Sequence, residues 1–225
     1  MRSPRSVSRV VGGLLILQMM LLILPFVLLH PITAGSQAFL ANAAPASGQI
    51  TAAVFLLFFN SAVTIGISIA LFPIVSKRSE RMALWLLAAS IVWFALQAVD
   101  NAHILSIVAL SQRFVDGGSA NADLYQAMGA TLGGTRRWVH YSELLVIDCW
   151  MFSLYAVLYR FAFVPRLLSA FALLTVVLHF AGIPLLAFLG YGIITPMGVP
   201  LAASQLAIAS WLLVKGLADG DRNYE

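Results

Sequence analysis

The sequence predicts an all-α integral membrane protein: a six-helix transmembrane bundle with its N and C termini both cytoplasmic. Three observations carry this. The chain has 225 residues, of which 61% are hydrophobic and 10% charged, whereas a soluble domain carries about 25% charged residues. Six apolar runs are each long enough to cross a bilayer core as a helix, which takes about 20 residues. Lysine and arginine are spread unevenly over the loops between those runs.

The runs lie near Val10–His30, Ile50–Val75, Met82–Leu110, Arg137–Phe163, Leu167–Leu189 and Ile194–Lys215. Together they read as one transmembrane domain over residues 1–225. The third and fourth exceed the core thickness, so tilt or projection beyond the lipid is expected. The first follows RSPRSVSR and could be a secretory signal cleaved near SQA. Its apolar stretch is about twice the usual signal core, and His30-Pro31 replaces a small-residue exit, so a permanent helix is expected.

Arg2, Arg5, Arg9, Lys77, Arg78, Arg81, Arg160, Arg166, Lys215 and Arg222 fall on one side; only Arg113, Arg136 and Arg137 fall on the other. The positive-inside rule then puts both termini in the cytoplasm. A bacterial cytoplasmic membrane is the expected location. Membrane orientation also explains the basic pI of about 9.6, so no nucleic-acid partner is expected. The single cysteine, Cys149, excludes an intrachain disulfide and a cysteine-based zinc site. No nucleotide-binding glycine loop or nucleophile elbow is present.

Two longer segments join helices on the outer side. Pro31–Gln49 is uncharged and rich in Ala, Gly, Ser and Pro, which predicts a loosely structured cap. Gln112–Arg136 has glycine pairs around DLYQAMGA, which predicts one short interfacial helix within a lid or a plain solvated connection.

The ionisable residues inside the spans carry the functional reading. Asp100, Glu143 and Asp148 lie there with His103, His140 and His179. Apart from those at the span ends, no Lys or Arg lies inside an apolar run, so these acids are expected to pair with histidine, hydroxyl, amide, metal or a proton. Counted from the outer span ends at 1.5 Å per residue, Asn60, Asp100, Asp148, His179 and Gln205 come out about 10 residues deep, near the midplane. On the third span Gln97, Asp100 and Asn101 share a stripe, with His103 at its edge. The motifs D-x-x-H (Asp100, His103) and H-x-x-E (His140, Glu143) sit on antiparallel spans and can come level.

A carboxylate and a histidine at i, i+3 is the spacing by which bundles build metal sites. His103, His140, Glu143 and His179 are therefore candidate ligands for iron, manganese or zinc. Asp100, Glu143 and Asp148 are candidate catalytic acids or bases, with Asn60, Gln97, Asn101, Tyr141 and Gln205 as pocket support. The same groups suit a proton relay. Polar side chains also simply tie transmembrane helices together, and Asn60 and Gln205 fit that role on their own. His30, beside Pro31, fits a headgroup contact.

The stretches DLYQAMGATL, RRWVHYSELLVIDCWMFSLYAVLYR, FVPRLLSAFALL, ASWLLVKG and LSQRF resemble a family of small bacterial multi-span membrane proteins. That family is catalogued as a domain of unknown function (DUF 4386-like). The resemblance covers nearly the whole chain and implies a six-span helical unit without an assigned activity. It also implies an acidic residue at the position of Asp100.

Three functions are consistent with these residues. The first is a membrane-embedded enzyme acting on a lipid-soluble substrate such as an isoprenoid, quinone or acyl lipid, with or without a transition metal. The second is a small proton-coupled carrier, with prolines marking bends. The third is an accessory subunit that binds haem or pigment through a histidine. Membrane lipids, a lipid-soluble small molecule and a second copy of the chain are the expected partners.

Overall fold

A computed structural model describes residues 4–33, 39–117 and 121–218. Its helices are α1 (Pro4–Leu28), α2 (His30–Thr33), α3 (Phe39–Ala43), α4 (Ser47–Val75), α5 (Glu80–Asp116), α6 (Ala122–Arg160), α7 (Arg166–Leu189) and α8 (Ile194–Val214). No strand occurs among the described residues. Six helices are long and apolar enough to cross a membrane: α1, α4, α5, α6, α7 and α8. Their outward faces carry large apolar side chains such as Leu22, Phe26, Phe55, Trp85 and Leu167. Their inward faces carry Gln18, Asn60, Thr64, Ser68, Gln97 and Ser204. Lipid is the solvent that makes this distribution favourable, because polar groups must find partners inside the protein.

Local chemistry sets several helix ends. Asn121 adopts a left-handed φ of 65°, which asparagine tolerates, and α6 begins at the next residue. Gly190, at φ 74°, closes α7: its N–H donates to Leu186 O and the Tyr191 N–H donates to Leu185 O, a cap that favours a residue without a Cβ. Ser79 precedes α5, and its Oγ accepts the Met82 N–H at 3.4 Å.

The chain forms two compact units. The first comprises Met1–Met19, Ala62–Trp93 and Leu144–Glu225. Its core packs Leu15, Ile67, Leu71, Leu86, Trp150, Leu158 and Leu212. Buried polar links run through it. Gln205 Nε2 donates to Gln18 Oε1 at 3.0 Å, and Gln18 Nε2 donates to Thr64 Oγ1 at 2.5 Å, joining α8, α1 and α4. Trp150 Nε1 donates to Ser68 Oγ at 2.9 Å, joining α6 to α4. Such links are worth about 0.6 kcal/mol each in a membrane, so they align helices more than they stabilise them. The Arg78 guanidinium lies 5.5 Å from the Phe163 ring and 6.0 Å from that of Phe161, a cation–π contact between two loops.

The second unit comprises Met20–Ser61 and Phe94–Glu143. Its core gathers Leu29, Ala43, Ile50, Val54, Leu57, Ile104 and Ile107. The described part of the 31–49 segment is not the loose cap that its composition predicts. Leu40 and Ala43 of α3 are buried. Ser111 Oγ on α5 donates to Leu40 O and accepts the Ala44 N–H, and Gln49 Nε2 donates to Leu28 O at 2.8 Å. Gly129 on α6 lets Leu40 and Phe39 approach to where a Cβ would meet them at 2.8 and 3.0 Å. Residues 34–38 and 118–120, in the two expected outer segments, lie outside the described residues.

The larger departure concerns α6. The sequence predicts a fourth span from Arg137 preceded by a lid or connection with one short helix. The structure instead has a single helix from Ala122 to Arg160. The stretch carrying Gly133 and Gly134 lacks apolar periodicity, yet helix continues through it. Contacts with α3 and α5 inside the unit outweigh the cost of two helical glycines, about 1 kcal/mol each.

Close packing of α1 on α8 generates a prediction. A Cβ at Gly12 would meet Ala209 O at 2.8 Å and Leu213 Cγ at 2.9 Å. Gly12→Val is expected to cost about 1–3 kcal/mol by overpacking. Gly13→Val, where no atom lies within 4 Å of a Cβ, is the control. Thermal unfolding in detergent should separate the two.

Candidate functional site

Helix α6 carries Arg136, His140 and Glu143 at i, i+4 and i+7, so all three leave one face over two turns. Asp100 meets them from α5. Arg136 Nε lies 3.3 Å from Asp100 Oδ1, and Arg136 Nη2 donates to Asp100 Oδ2 at 3.4 Å. His140 Nδ1 and Glu143 Oε2 are 3.3 Å apart. Ligand atoms of Asp100, His140 and Glu143 all lie within 4.8 Å of one another. Asp100 and Glu143 are buried, at 1% and 5% exposure, while the His140 side chain is 44% exposed. The group thus has two shielded carboxylates and an imidazole that reaches the surface.

The contacts are long for ionised partners. Charge-assisted N–H···O bonds settle at about 2.7–2.9 Å. Asp100 Oδ1 receives no hydrogen bond and Arg136 Nε donates none, although the two atoms face each other. The guanidinium neutralises the carboxylate without docking squarely on it. Beside the pair, Gln97 Nε2 donates to Asn101 Oδ1 at 3.2 Å. The Asn101 Nδ2 amide is buried without an acceptor.

Arg136 corrects the sequence reading, which leaves the membrane acids without any Lys or Arg. That expectation rests on ending the span at Arg137. Because α6 continues, Arg136 sits one turn from His140 on the same face and its long side chain reaches Asp100. The periodic signal was present as R-x-x-x-H-x-x-E, but it becomes readable only once helix extends through Gly133-Gly134.

The other candidate residues go elsewhere. His103 Nδ1 pairs with Val99 O of its own helix at 2.8 Å, and His103 is not in the group described above. Tyr141 packs edge-on against Trp138, with ring centroids 6.0 Å apart. Asn60 is buried in the second unit. Within the first unit, His179 Nδ1 lies 2.7 Å from Asp148 Oδ2, while Gln205 serves the link to α1. Asp148 is 1% exposed, and its Oδ1 accepts no hydrogen bond. The six ionisable residues therefore divide. Asp100, His140 and Glu143 gather in one unit, Asp148 and His179 pair in the other, and His103 turns back on its own helix.

Depth follows from helix length. Asp100 is twenty residues from Glu80 at the start of α5, and His140 is twenty residues from Arg160 at the end of α6. About 20 residues cross a bilayer core, so each count equals one core crossing. Chemically, the group offers an imidazole oriented by a carboxylate.

Residues 10–216 match the profile of a domain of unknown function (DUF4386). No curated protein and no solved structure matches the chain.

The ion pair generates a prediction. Arg136→Gln strands a buried carboxylate and is expected to cost about 3 kcal/mol. Asp100→Asn in the same chain should return most of that loss. A double-mutant cycle of unfolding in mild detergent checks it, and independent, additive losses would show that the two side chains do not interact.

Proposed function

The chain belongs to the DUF4386 family, and we propose that it is a membrane-embedded enzyme acting on a lipid-soluble substrate through Asp100, His140 and Glu143. The observation that carries this reading is the convergence of two buried carboxylates and a partly exposed imidazole. Bundle glue needs no such group, because amides and hydroxyls already serve that purpose.

In this reading Glu143 engages His140 Nδ1, which orients the ring and leaves Nε2 to take a proton from the substrate. Arg136 has a loosely held partner in Asp100, so it can turn toward a negatively charged headgroup or developing oxyanion. The substrate enters sideways from the bilayer, its apolar part staying in lipid while its polar end reaches His140. Isoprenoids, quinones and acyl lipids have that form. The uneven distribution of basic residues supports the rest of the proposal: both termini in the cytoplasm of a bacterial inner membrane, with the reactive group toward the outer side.

Lipid mass spectrometry tests the reading. Membranes overproducing the wild-type chain are expected to gain or lose a lipid-soluble species. His140→Ala and Glu143→Gln should cut that change by at least about 100-fold, the usual contribution of a general base. Equal lipid profiles for wild type and both variants would overturn it.

The Asp148–His179 pair favours a second reading, a small proton-coupled carrier. A buried acid bonded to a histidine inside a span is a means of holding and passing a proton. Proteoliposomes with an internal pH dye should then show a proton flux that Asp148→Asn abolishes, and a flux equal in the variant would remove this reading.

A further inference from the structure

We propose that Asp100, His140 and Glu143 bind one divalent first-row transition metal, and that Arg136 is an internal cation which occupies the site's charge until the metal displaces it. The inference rests on the reading of this group as the reactive centre and names its cofactor class; a His140 held as a ligand through Nδ1 is not also the base, so the proton-accepting role above belongs to the metal-free form. It rests on the spacing of the ligand atoms, the unbonded oxygen of Asp100 and the charge balance of the site.

The spacing is close to what a metal needs. Ligand atoms about 2.1 Å from zinc in a tetrahedron lie about 3.4 Å from each other. His140 Nδ1 and Glu143 Oε2 are already 3.3 Å apart. The whole set lies within 4.8 Å, so a modest inward turn of the Asp100 carboxylate completes three protein ligands. Three ligands leave one coordination position open, the arrangement of reactive metal centres as opposed to closed structural ones. Carboxylate and imidazole donors suit zinc, manganese or iron better than copper(I).

Independently, Asp100 Oδ1 is a buried acceptor with no hydrogen bond, lying 3.3 Å from an Arg136 Nε that is equally unbonded. The guanidinium faces the carboxylate as a fork, Nε toward Oδ1 at 3.3 Å and Nη2 toward Oδ2 at 3.4 Å, longer than the about 2.7–2.9 Å of a tightly docked charge pair. So long a pairing holds the guanidinium loosely, as a displaceable countercharge.

Charge completes the case. Two buried carboxylates and Arg136 leave a net charge of about −1, an unfavourable state away from water. A divalent cation on the same carboxylates brings them to neutrality and frees Arg136. Its side chain is 14% exposed, so it has a route outward, toward the headgroup level. Metal and guanidinium thus compete for one pair of acids, and releasing Arg136 makes it available to an anionic substrate group.

The test is metal binding by the full-length chain without a histidine tag, purified metal-free in detergent and titrated with Co2+ and then Zn2+. The expected result is one equivalent bound, with a visible Co2+ absorption band that Zn2+ erases. Asp100→Asn, His140→Gln and Glu143→Gln should each weaken Zn2+ binding at least about tenfold. Arg136→Gln should tighten it about tenfold, because a competing charge is gone. Arg136→Lys, which keeps the charge, should stay near wild type. Arg136→Gln should also gain more in melting temperature on adding Zn2+ than wild type does, which reports binding even if that variant is destabilised.

Absence of stoichiometric binding by the wild type would overturn the proposal. So would an Arg136→Gln variant that binds no tighter, or an Asp100→Asn variant that binds as well as wild type. The two readings fail separately. Loss of lipid turnover in His140→Ala without metal binding would sink the metal and leave the acid–base enzyme. Metal binding with unchanged lipids would sink the enzyme and leave the metal centre.

Discussion

An ionised carboxylate removed from water must be neutralised close by, and the second unit is arranged around that requirement at Asp100. Its carboxylate is 1% exposed and meets Arg136 at 3.3 Å. For Arg136 to arrive there, α6 has to remain helical through a glycine-rich, weakly apolar stretch. Continuous helix, in turn, stacks His140 and Glu143 above Arg136 on one face. The ion pair and the Asp100/His140/Glu143 group are therefore consequences of a single helical register.

The remaining buried polar groups are of two kinds. Gln205, Gln18 and Thr64, or Trp150 and Ser68, form short donor–acceptor chains between helices of the first unit. These are neutral, and hydrogen bonds to neighbours satisfy them, so they act as alignment devices in a solvent that offers no competing water. The ionisable groups behave differently. Asp100 and Asp148 each keep one buried carboxylate oxygen without a hydrogen bond. A structural acid would have both oxygens occupied, because an idle buried acceptor costs about 1–3 kcal/mol.

The two acid–histidine centres also differ in access. Asp148 and His179 approach to 2.7 Å, and the His179 side chain is only 13% exposed, which suits holding a proton. The His140 side chain is 44% exposed and 3.3 Å from its carboxylate, which suits meeting a substrate. One chain thus carries a shielded acid–histidine pair and a more exposed one.

Composition and hydropathy by themselves determined the class of protein, the six spans and the residues worth suspecting, because burying charge in lipid is so costly that every ionisable residue in an apolar run stands out. They also marked the asymmetric basic loops that argue for orientation. They did not determine where α6 begins or that α3 packs under Ser111 and against Gly129. Those outcomes depend on packing between segments far apart in the sequence, which overrides local propensity. The partner of Asp100 was hidden for the same reason: a residue judged to lie at a span's edge became an inward-facing member of a longer helix. Which acids share a site with which imidazoles is likewise a property of helix rotation and pairing. Only the tertiary structure decides it, since every inward-facing residue looks alike in a hydropathy pattern.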